Sequence, residues 1–192
     1  MQTETASPVR FDINALLSTP LIREPFEHVV VPRFVGQASL EWIWRNWPDL
    51  GRSGGVPLEQ IAQTHPIRAL IEQFEADEFR EAVEIKFQLD LRYRRTVFCL
   101  TDRCRGPWPI HVNPPPNVVS VLFYPNIPTD DGEGDAAGVR FTRSQASIED
   151  FVTEIPPLGG ALAAFRCRPN AWHGRAPHFG RRLQLEMSWR AD

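Results

Sequence analysis

The second half of the chain consists of short apolar segments separated by turn-forming clusters, and this pattern constrains the fold more than any other feature. The segments lie at 96–100, 118–124, 138–141, 150–155, 161–165 and 183–189. Clusters rich in proline, glycine and aspartate separate them, such as NPPPN, PTDDGEGD and PPLGG. Short strands at regular spacing, interrupted by such turns, are typical of an antiparallel sandwich or a jelly-roll barrel.

The first half shows a helical period instead. Apolar residues recur at helical spacing at 40, 43, 44 and 47, and again over 67–87, which predicts two helices. The segment PFEHVVVPRFV at 25–35 predicts a strand flanked by prolines. We therefore predict an α+β, mainly β protein. Its barrel should cover about 89–190 and its supporting helices about 37–87, within one domain over 25–192 that follows a loosely attached N-terminal arm at 1–24.

The composition limits the classes of function. The chain has 192 residues, enough for one domain with a core and a pocket. A net charge of −3 provides no basic surface, so nucleic acid is not an expected partner. Neither a membrane span nor a signal segment is visible. The chain has three cysteines, Cys99, Cys104 and Cys167, an odd number without the paired Cys-x-x-Cys spacing of a metal site. This pattern predicts reduced thiols and a cytoplasmic location. The sequence does not indicate the oligomeric state.

Two histidines in strand-like surroundings predict a functional site. His111 precedes Asn113 at the head of one apolar segment, and His173, about sixty residues later, is followed by Arg182. In the last segment Arg182, Gln184, Glu186 and Ser188 alternate with apolar residues and therefore share one strand face. A polar inward face on a barrel strand predicts a hydrated cavity. Two histidines on opposite sides of that cavity could reach one metal ion, and the arginine could bind an acidic ligand.

Several segments together resemble a known family. IHVNPPPNVVSVLFYPN, GVRFTRS and PPLGGALAAFRCRPNAWHGRAPHFGRRLQLEMSW occur in the order found in small 2-oxoglutarate/Fe(II) dioxygenases of the prolyl-4-hydroxylase-like group. The resemblance runs from about residue 25 to residue 189. It implies a double-stranded β-helix, that is, a cupin-like jelly-roll barrel. Fold alone does not determine function, so each matching residue has to be considered separately.

The resemblance assigns a role to each matching position. It implies that His111 and His173 bind Fe(II), and that Arg182 grips the far carboxylate of the co-substrate 2-oxoglutarate while O2 is consumed. A planar guanidinium suits a carboxylate in two-point contact. Tyr124 matches a tyrosine that binds the same carboxylate. Ser120, which is expected on the same face, is a further candidate for binding the co-substrate. Arg181 should point outward into solvent.

Asn113 departs from this family, whose members usually have His-x-Asp at this place. Three interpretations remain open: ligation through the amide oxygen, replacement of the ligand by water, or a degenerate site that binds metal poorly. Losing an anionic ligand removes one charge of neutralisation from a divalent cation. Halogenating relatives have a smaller residue here, so the bulk of asparagine argues against halide chemistry.

The remaining candidates have less specific signals. Trp108 and Trp172 flank the proposed ligands and are candidates for shaping substrate access, and Arg105 could meet an anionic substrate. His28, His65 and His178 lie outside any matching motif and are expected to be packed or at the surface. The acidic loop at 130–135 lacks the ligand spacing of an EF-hand, so we expect a solvated hairpin.

The predicted function is oxidation of an unactivated C–H bond, by hydroxylation or a related reaction, in a small molecule or a peptide. Succinate and CO2 would be released from 2-oxoglutarate. Two alternatives remain at this stage. The first is a catalytically degenerate barrel that serves as a binding or scaffold protein. The second is a metal-dependent lyase or isomerase that does not use 2-oxoglutarate.

Overall fold

The computed structural model describes residues 7–127 and 138–191. The predicted acidic loop lies outside the described residues. The helices are α1 (Ile13–Ser18), α2 (Gln37–Arg45), α3 (Arg68–Glu75) and α4 (Asp77–Phe87). The strands are β1 (His28–Val31), β2 (Val56–Pro57), β3 (Arg95–His111), β4 (Asn117–Tyr124), β5 (Val139–Thr142), β6 (Phe151–Ile155), β7 (Ala161–Arg166) and β8 (His173–Arg190). Within these ranges no helix combines the length and the apolar content needed to cross a membrane.

Two long antiparallel strands, β3 and β8, connect the two sheets of the barrel. The first of these sheets has the strand order β1-β7-β4-β8-β3-β2. Toward the other end of β3 and the beginning of β8, β5 pairs with β8 and β6 pairs with β5. The pairing of β3 with β8 shifts register between Thr101 and Arg103, and Gly180 has a φ of 135° that favours glycine. These irregularities lie where both strands pass from one sheet to the next.

This arrangement confirms the predicted double-stranded β-helix, mainly β, with helices at its N-terminal side. One face of the first sheet packs on the helices, through Val121 and Phe123 of β4 and Leu185 and Met187 of β8. The opposite face lines the barrel interior. Leu122 and Tyr124 lie there with Phe141 and Phe165, in a second apolar cluster.

The predicted single helix over 67–87 is wrong, because the chain forms two helices. Ala76 has extended backbone angles (φ −63°, ψ 143°) and separates α3 from α4. The buried stripe explains the break. Phe74 and Phe79 are five residues apart, and at 100° per residue a continuous helix would rotate Phe79 roughly 140° away from Phe74. The break returns both rings to one core, where their centroids are 5.1 Å apart.

The expected loose attachment of the N-terminal arm is also wrong for the part that the structure describes. Val9 and Leu16 are fully buried, and the Phe11 ring lies 4.6 Å from the ring of Phe74. Lys86 of α4 donates hydrogen bonds to the carbonyl oxygens of Leu17 and Thr19 at 2.8 and 2.7 Å. Residues 7–24 therefore belong to the core that supports the barrel. The domain boundary at residue 24 stays a prediction.

Candidate metal and co-substrate site

The two predicted histidines lie side by side on neighbouring strands, not on opposite sides of the cavity as the sequence analysis expected. His111 ends β3 and His173 begins β8, and the two residues are partners in the antiparallel pairing. Their ring centroids are 4.3 Å apart. His173 is fully buried, while His111 is partly exposed. The last register shift of β3 precedes His111, so local strand irregularity helps to set the position of this ring.

Hydrogen bonds orient both rings in the same way. Nδ1 of His111 donates to the carbonyl oxygen of Pro109 at 2.8 Å, and Nδ1 of His173 donates to that of Ala171 at 2.9 Å. A carbonyl oxygen can only accept, so each Nδ1 carries a proton. In the neutral imidazole the lone pair then lies on Nε2, the atom left for a metal.

The environment keeps His173 neutral. Burial lowers the pKa of His173 to about 3, with a further contribution from the charge of His111. Its Nε2 is buried and has no hydrogen-bond partner among the described residues. A buried lone pair without a donor is costly unless a ligand occupies it. These two imidazoles therefore fit a divalent metal ion that accepts nitrogen ligands.

Asn113, two residues after His111 in the chain, takes part in a network of polar side chains. Its Nδ2 donates to Ser120 Oγ at 2.8 Å, and this hydroxyl lies 2.7 Å from Ser188 Oγ. Cys167 Sγ is 3.3 Å from the same hydroxyl. Within residues 7–127 and 138–191 no group of three histidine, cysteine, aspartate or glutamate side chains could hold a metal.

Arg182 and Tyr124 form the second half of the predicted site. Both side chains are fully buried, and the guanidinium carbon of Arg182 lies 5.0 Å from the Tyr124 ring centroid. Burial raises the pKa of Tyr124 to about 12, although the nearby Arg182 charge opposes this shift. The phenol is therefore neutral at physiological pH and can donate a hydrogen bond. A buried cation beside a phenolic donor suits a carboxylate ligand.

Ser120 is not placed with Arg182 and Tyr124 as the sequence predicted. It lies four residues before Tyr124 on the extended strand β4, which separates the two by about 13 Å. Its hydroxyl contacts Asn113 and Ser188 instead. Ser120 itself is fully buried. Its position along the strand assigns it to the asparagine end of the site.

Asn126 positions Arg182, and the sequence analysis did not single it out. Its amide nitrogen donates to the carbonyl oxygens of Pro157 and Leu183, at 2.7 and 2.8 Å. Its Oδ1 accepts from the backbone N–H of Leu183 at 2.7 Å. The amide thereby fixes the backbone immediately after Arg182. The signal was present in the motif LFYPN, which carries the resemblance.

Arg175 is a second buried arginine near the site that the sequence analysis missed. It is 7% exposed, and its Nη1 donates to the carbonyl oxygens of Gly106 and Ala176, both at 3.4 Å. Burial lowers its pKa; the nearby Cys104 acts in the opposite direction, and the charge of Arg182 lowers it further. Strand alternation from His173 could have indicated that it points inward.

The three weaker substrate candidates differ in their placement. The ring of Trp108 lies 4.9 Å from that of His111 and 5.5 Å from that of His173, so it forms a wall of the site. Trp172 is partly buried beside His173, and its backbone oxygen accepts a hydrogen bond from Thr142. Arg105 is exposed between the buried residues Cys104 and Gly106, so its side chain points away from the barrel interior.

Glu186 is an acidic group at the asparagine end of the site. Burial raises the pKa of its carboxyl group, while the charge of His111 and a hydrogen bond with Asn113 act in the opposite direction. Glu186 also lines a groove of about 460 Å³ that reaches the surface. The groove is lined further by Val97, Cys99, Asn117, Ser188, Arg190 and others. It connects solvent with the residues around Asn113.

Other predictions concern residues outside the site. His28 is a packed core histidine as expected, with Nδ1 2.8 Å from the Phe26 carbonyl oxygen and Nε2 2.9 Å from Thr153 Oγ1. The three cysteines are free, in agreement with the predicted thiols. Arg181 points outward as predicted, but its guanidinium carbon lies 4.1 Å from the Trp44 ring centroid.

Comparison with known proteins gives similarity only at the level of solved structures. No protein-family model matches the chain, and no curated protein matches it. The structure resembles a prolyl 4-hydroxylase from Phytophthora capsici, with a TM-score of 0.65 and 18% identity. That match covers 95% of this chain and 66% of the other, so the chain spans just under two thirds of that protein.

Two further structures have the same architecture. One is a prolyl hydroxylase from Trichoplax adhaerens in complex with a hypoxia-inducible factor peptide, with a TM-score of 0.56 and 12% identity over 93% of this chain and 86% of the other. The other is an oxidoreductase of the 2OG-Fe(II) oxygenase family from Burkholderia pseudomallei, with a TM-score of 0.57 and 12% identity over 85% and 84%. The chain therefore has the double-stranded β-helix fold found in prolyl hydroxylases and other 2-oxoglutarate/Fe(II) oxygenases.

Proposed function

We propose that this protein is a non-haem Fe(II)- and 2-oxoglutarate-dependent oxygenase that oxidises a C–H bond of a small molecule or a peptide. The observation that carries the proposal is the combination of two sites in one barrel. His111 and His173 present Nε2 lone pairs, and the buried pair of Arg182 and Tyr124 suits a carboxylate. Their residue types and order match the family resemblance of the sequence.

His111 and His173 would hold the iron through Nε2, with Asn113 as the oxygen ligand. When bound, the iron supplies O2-dependent oxidation coupled to decarboxylation of 2-oxoglutarate to succinate and CO2. Arg182 and Tyr124 would bind the distal carboxylate of 2-oxoglutarate. Both side chains are fully buried, so the bound carboxylate would be removed from water. A charged hydrogen bond is stronger in such a buried environment than in water.

The protein also provides substrate access and exclusion of solvent. Trp108 covers one side of both histidines, and the groove that ends at Glu186 and Ser188 gives a route from the surface. The Trichoplax relative is in complex with a peptide, which supports a peptide or a similarly accessible small molecule as the substrate class. An open groove is compatible with both.

The test is anaerobic addition of Fe(II) and then 2-oxoglutarate to the metal-free protein, followed by visible spectroscopy. A saturable metal-to-ligand charge-transfer band is expected. It should disappear in His173→Ala and in Arg182→Ala, and persist in Arg181→Ala, because Arg181 points outward. If the unaltered protein showed no band and retained no iron after dialysis, the oxygenase proposal would be wrong.

The absence of a carboxylate at position 113 specifically favours a second candidate, a barrel that binds ligands without redox chemistry. The substitution Asn113→Asp separates the two functions. If the natural protein shows neither the charge-transfer band nor turnover and the Asn113→Asp variant shows them, the natural protein has lost its redox chemistry. If the natural protein forms the band and turns over 2-oxoglutarate, Asn113 belongs to a working site.

A further inference from the structure

Arg175 is a buried cation without a carboxylate partner among the residues that the structure describes. Its side chain is 7% exposed, and none of the ion pairs within residues 7–127 and 138–191 involves it. A guanidinium keeps its proton at physiological pH, so the charge persists inside the barrel. Removing such a charge from water is costly unless an anion and good hydrogen bonds replace the lost hydration. The physical expectation is therefore a further, negatively charged partner.

The hydrogen bonds of Arg175 leave one edge of the guanidinium open. Nη1 donates to the carbonyl oxygens of Gly106 and Ala176, both at 3.4 Å, which is longer than the usual distance of roughly 2.7–3.2 Å. Nε is buried and has no acceptor in the described part of the chain. Nε–H and Nη2 share one edge of the group, to which Nη1 does not contribute. Such an edge can hold a carboxylate by two parallel hydrogen bonds.

The register of the barrel places Arg175 beside the metal site. It follows His173 by two residues on β8, so these two buried side chains lie on one strand face. Its partner on β3 is Trp108, whose ring lies 5.5 Å from that of His173. Burial lowers the pKa of Arg175, Cys104 raises it and the charge of Arg182 lowers it further, which agrees with a position inside the barrel. An anion on Arg175 would therefore share the cavity with a metal on His173.

We propose that Arg175 is an anion-binding residue of the barrel interior, whose Nε–Nη2 edge would hold a carboxylate of a ligand next to the metal site. The role that the sequence suggested for Arg105 would thus fall to Arg175, because Arg105 points away from the interior. In an oxygenase this carboxylate has two sources, the co-substrate 2-oxoglutarate or the substrate that is oxidised. The choice between them rests on the proposed function and deepens it, since the second source would make the substrate an acid.

Two titrations of the full chain distinguish these sources. The first measures the affinity of the Mn(II)-loaded protein for 2-oxoglutarate by isothermal titration calorimetry. The second adds acetate to protein saturated with Mn(II) and 2-oxoglutarate and follows the melting temperature. Acetamide and sodium chloride, at the same concentrations, are the controls for the neutral molecule and for ionic strength.

Arg175→Gln removes the charge but keeps a donor group at this position. It should weaken binding in at least one of the two titrations by about tenfold or more, the loss expected for a charge-assisted hydrogen bond. A loss in the titration with 2-oxoglutarate assigns Arg175 to the co-substrate. A loss in the titration with acetate alone indicates an acidic substrate. Arg175→Lys keeps the charge without the planar edge, so it should bind the same anion more weakly than the unaltered protein, and it serves as the test if the glutamine variant does not fold.

The matched control is Arg103→Gln. It removes the same charge from an exposed arginine on β3, where solvent and salt screen it, so both affinities should be unchanged. The inference is overturned if the folded variants at position 175 bind both anions as tightly as the unaltered protein, which is the result expected of an arginine that only braces two carbonyl groups. It is also overturned if Arg103→Gln weakens binding equally.

The proposed function can fail separately from this inference. If the unaltered protein forms the charge-transfer band with Fe(II) and 2-oxoglutarate but the Arg175 variants keep both affinities, the proposed function stands and the inference is wrong. If no band forms, the oxygenase proposal is wrong, and titration of the metal-free protein with acetate still decides whether Arg175 binds an anion. In that case, equal effects of acetate and chloride would refute the inference as well.

Discussion

Replacement of Arg182 by glutamine should abolish most of the affinity for 2-oxoglutarate. Arg182 and Tyr124 are both fully buried, so a carboxylate bound there exchanges water for these two groups. Arg182 and the bound carboxylate would form a buried, hydrogen-bonded charge pair. Removing one partner of a pair of this kind costs about 3 kcal/mol of binding free energy, within the usual range of 2–5 kcal/mol. At 1.4 kcal/mol for each factor of ten, the dissociation constant should rise by roughly a hundredfold. Isothermal titration of 2-oxoglutarate in the presence of Mn(II) measures this directly.

Arg181→Gln provides the control for the Arg182 variant. It removes the same charge from the neighbouring residue, but Arg181 is exposed and contacts the Trp44 ring on the outer side. Its affinity for 2-oxoglutarate should be unchanged. Thermal melting of both variants checks that the barrel remains folded, and Arg182→Lys tests the charge without the planar fork. If folded Arg182→Gln bound 2-oxoglutarate as tightly as the unaltered protein, the assignment of this pocket would be refuted.

Three further predictions concern the framework around the site. Asn126→Ala leaves the buried backbone of Leu183 without its partners, so the free energy of unfolding should fall by about 3 kcal/mol in urea titrations, and equal stability would contradict the bracing role. Gly174→Ala places a Cβ 2.9 Å from the Ile110 Cα, so the variant should melt at a lower temperature and bind Mn(II) more weakly; unchanged values would show that the strands can separate without effect. Burial lowers the pKa of His28 below its ordinary value of 6.5. Below that value the unfolded chain binds more protons than the folded protein, so the free energy of unfolding should decrease as the pH falls through 6.5. In the His28→Gln variant this decrease should be less steep. Urea titrations at several pH values measure both slopes.

The sequence predicted the strands of the barrel well where apolar residues alternate or form short runs, as at 118–124 and 161–165. It did not predict the full length of β3 and β8. Pro107, Pro109 and Pro177 lie within these strands, outside the predicted segments at 96–100 and 183–189. Proline lacks an N–H group but is tolerated at a strand edge. In the part of the chain that the structure describes, the second half of β3 pairs with β8 alone, so its other side can accept prolines.

The identities of the site residues were determined by the sequence itself. His111, His173, Arg182 and Tyr124 were recognisable because their chemistry and order follow a motif, and strand alternation placed Arg182 and Glu186 on one face. Local periodicity could also indicate that Arg181 points outward. These properties depend on residues near one another in the chain, which is why they can be read without coordinates.

Only the tertiary structure decided which of these residues touch. The antiparallel pairing of β3 with β8 places His111 opposite His173, and it brings Glu186 to Asn113 although more than seventy residues separate them in the sequence. Ser120 was assigned to the wrong end of the site because alternation specifies a face but not a position along the barrel. Register between distant strands depends on the sum of many packing contacts and on bulges such as that between Thr101 and Arg103. The sequence therefore determined the chemical groups of this site, and the packing of the barrel determined their partners.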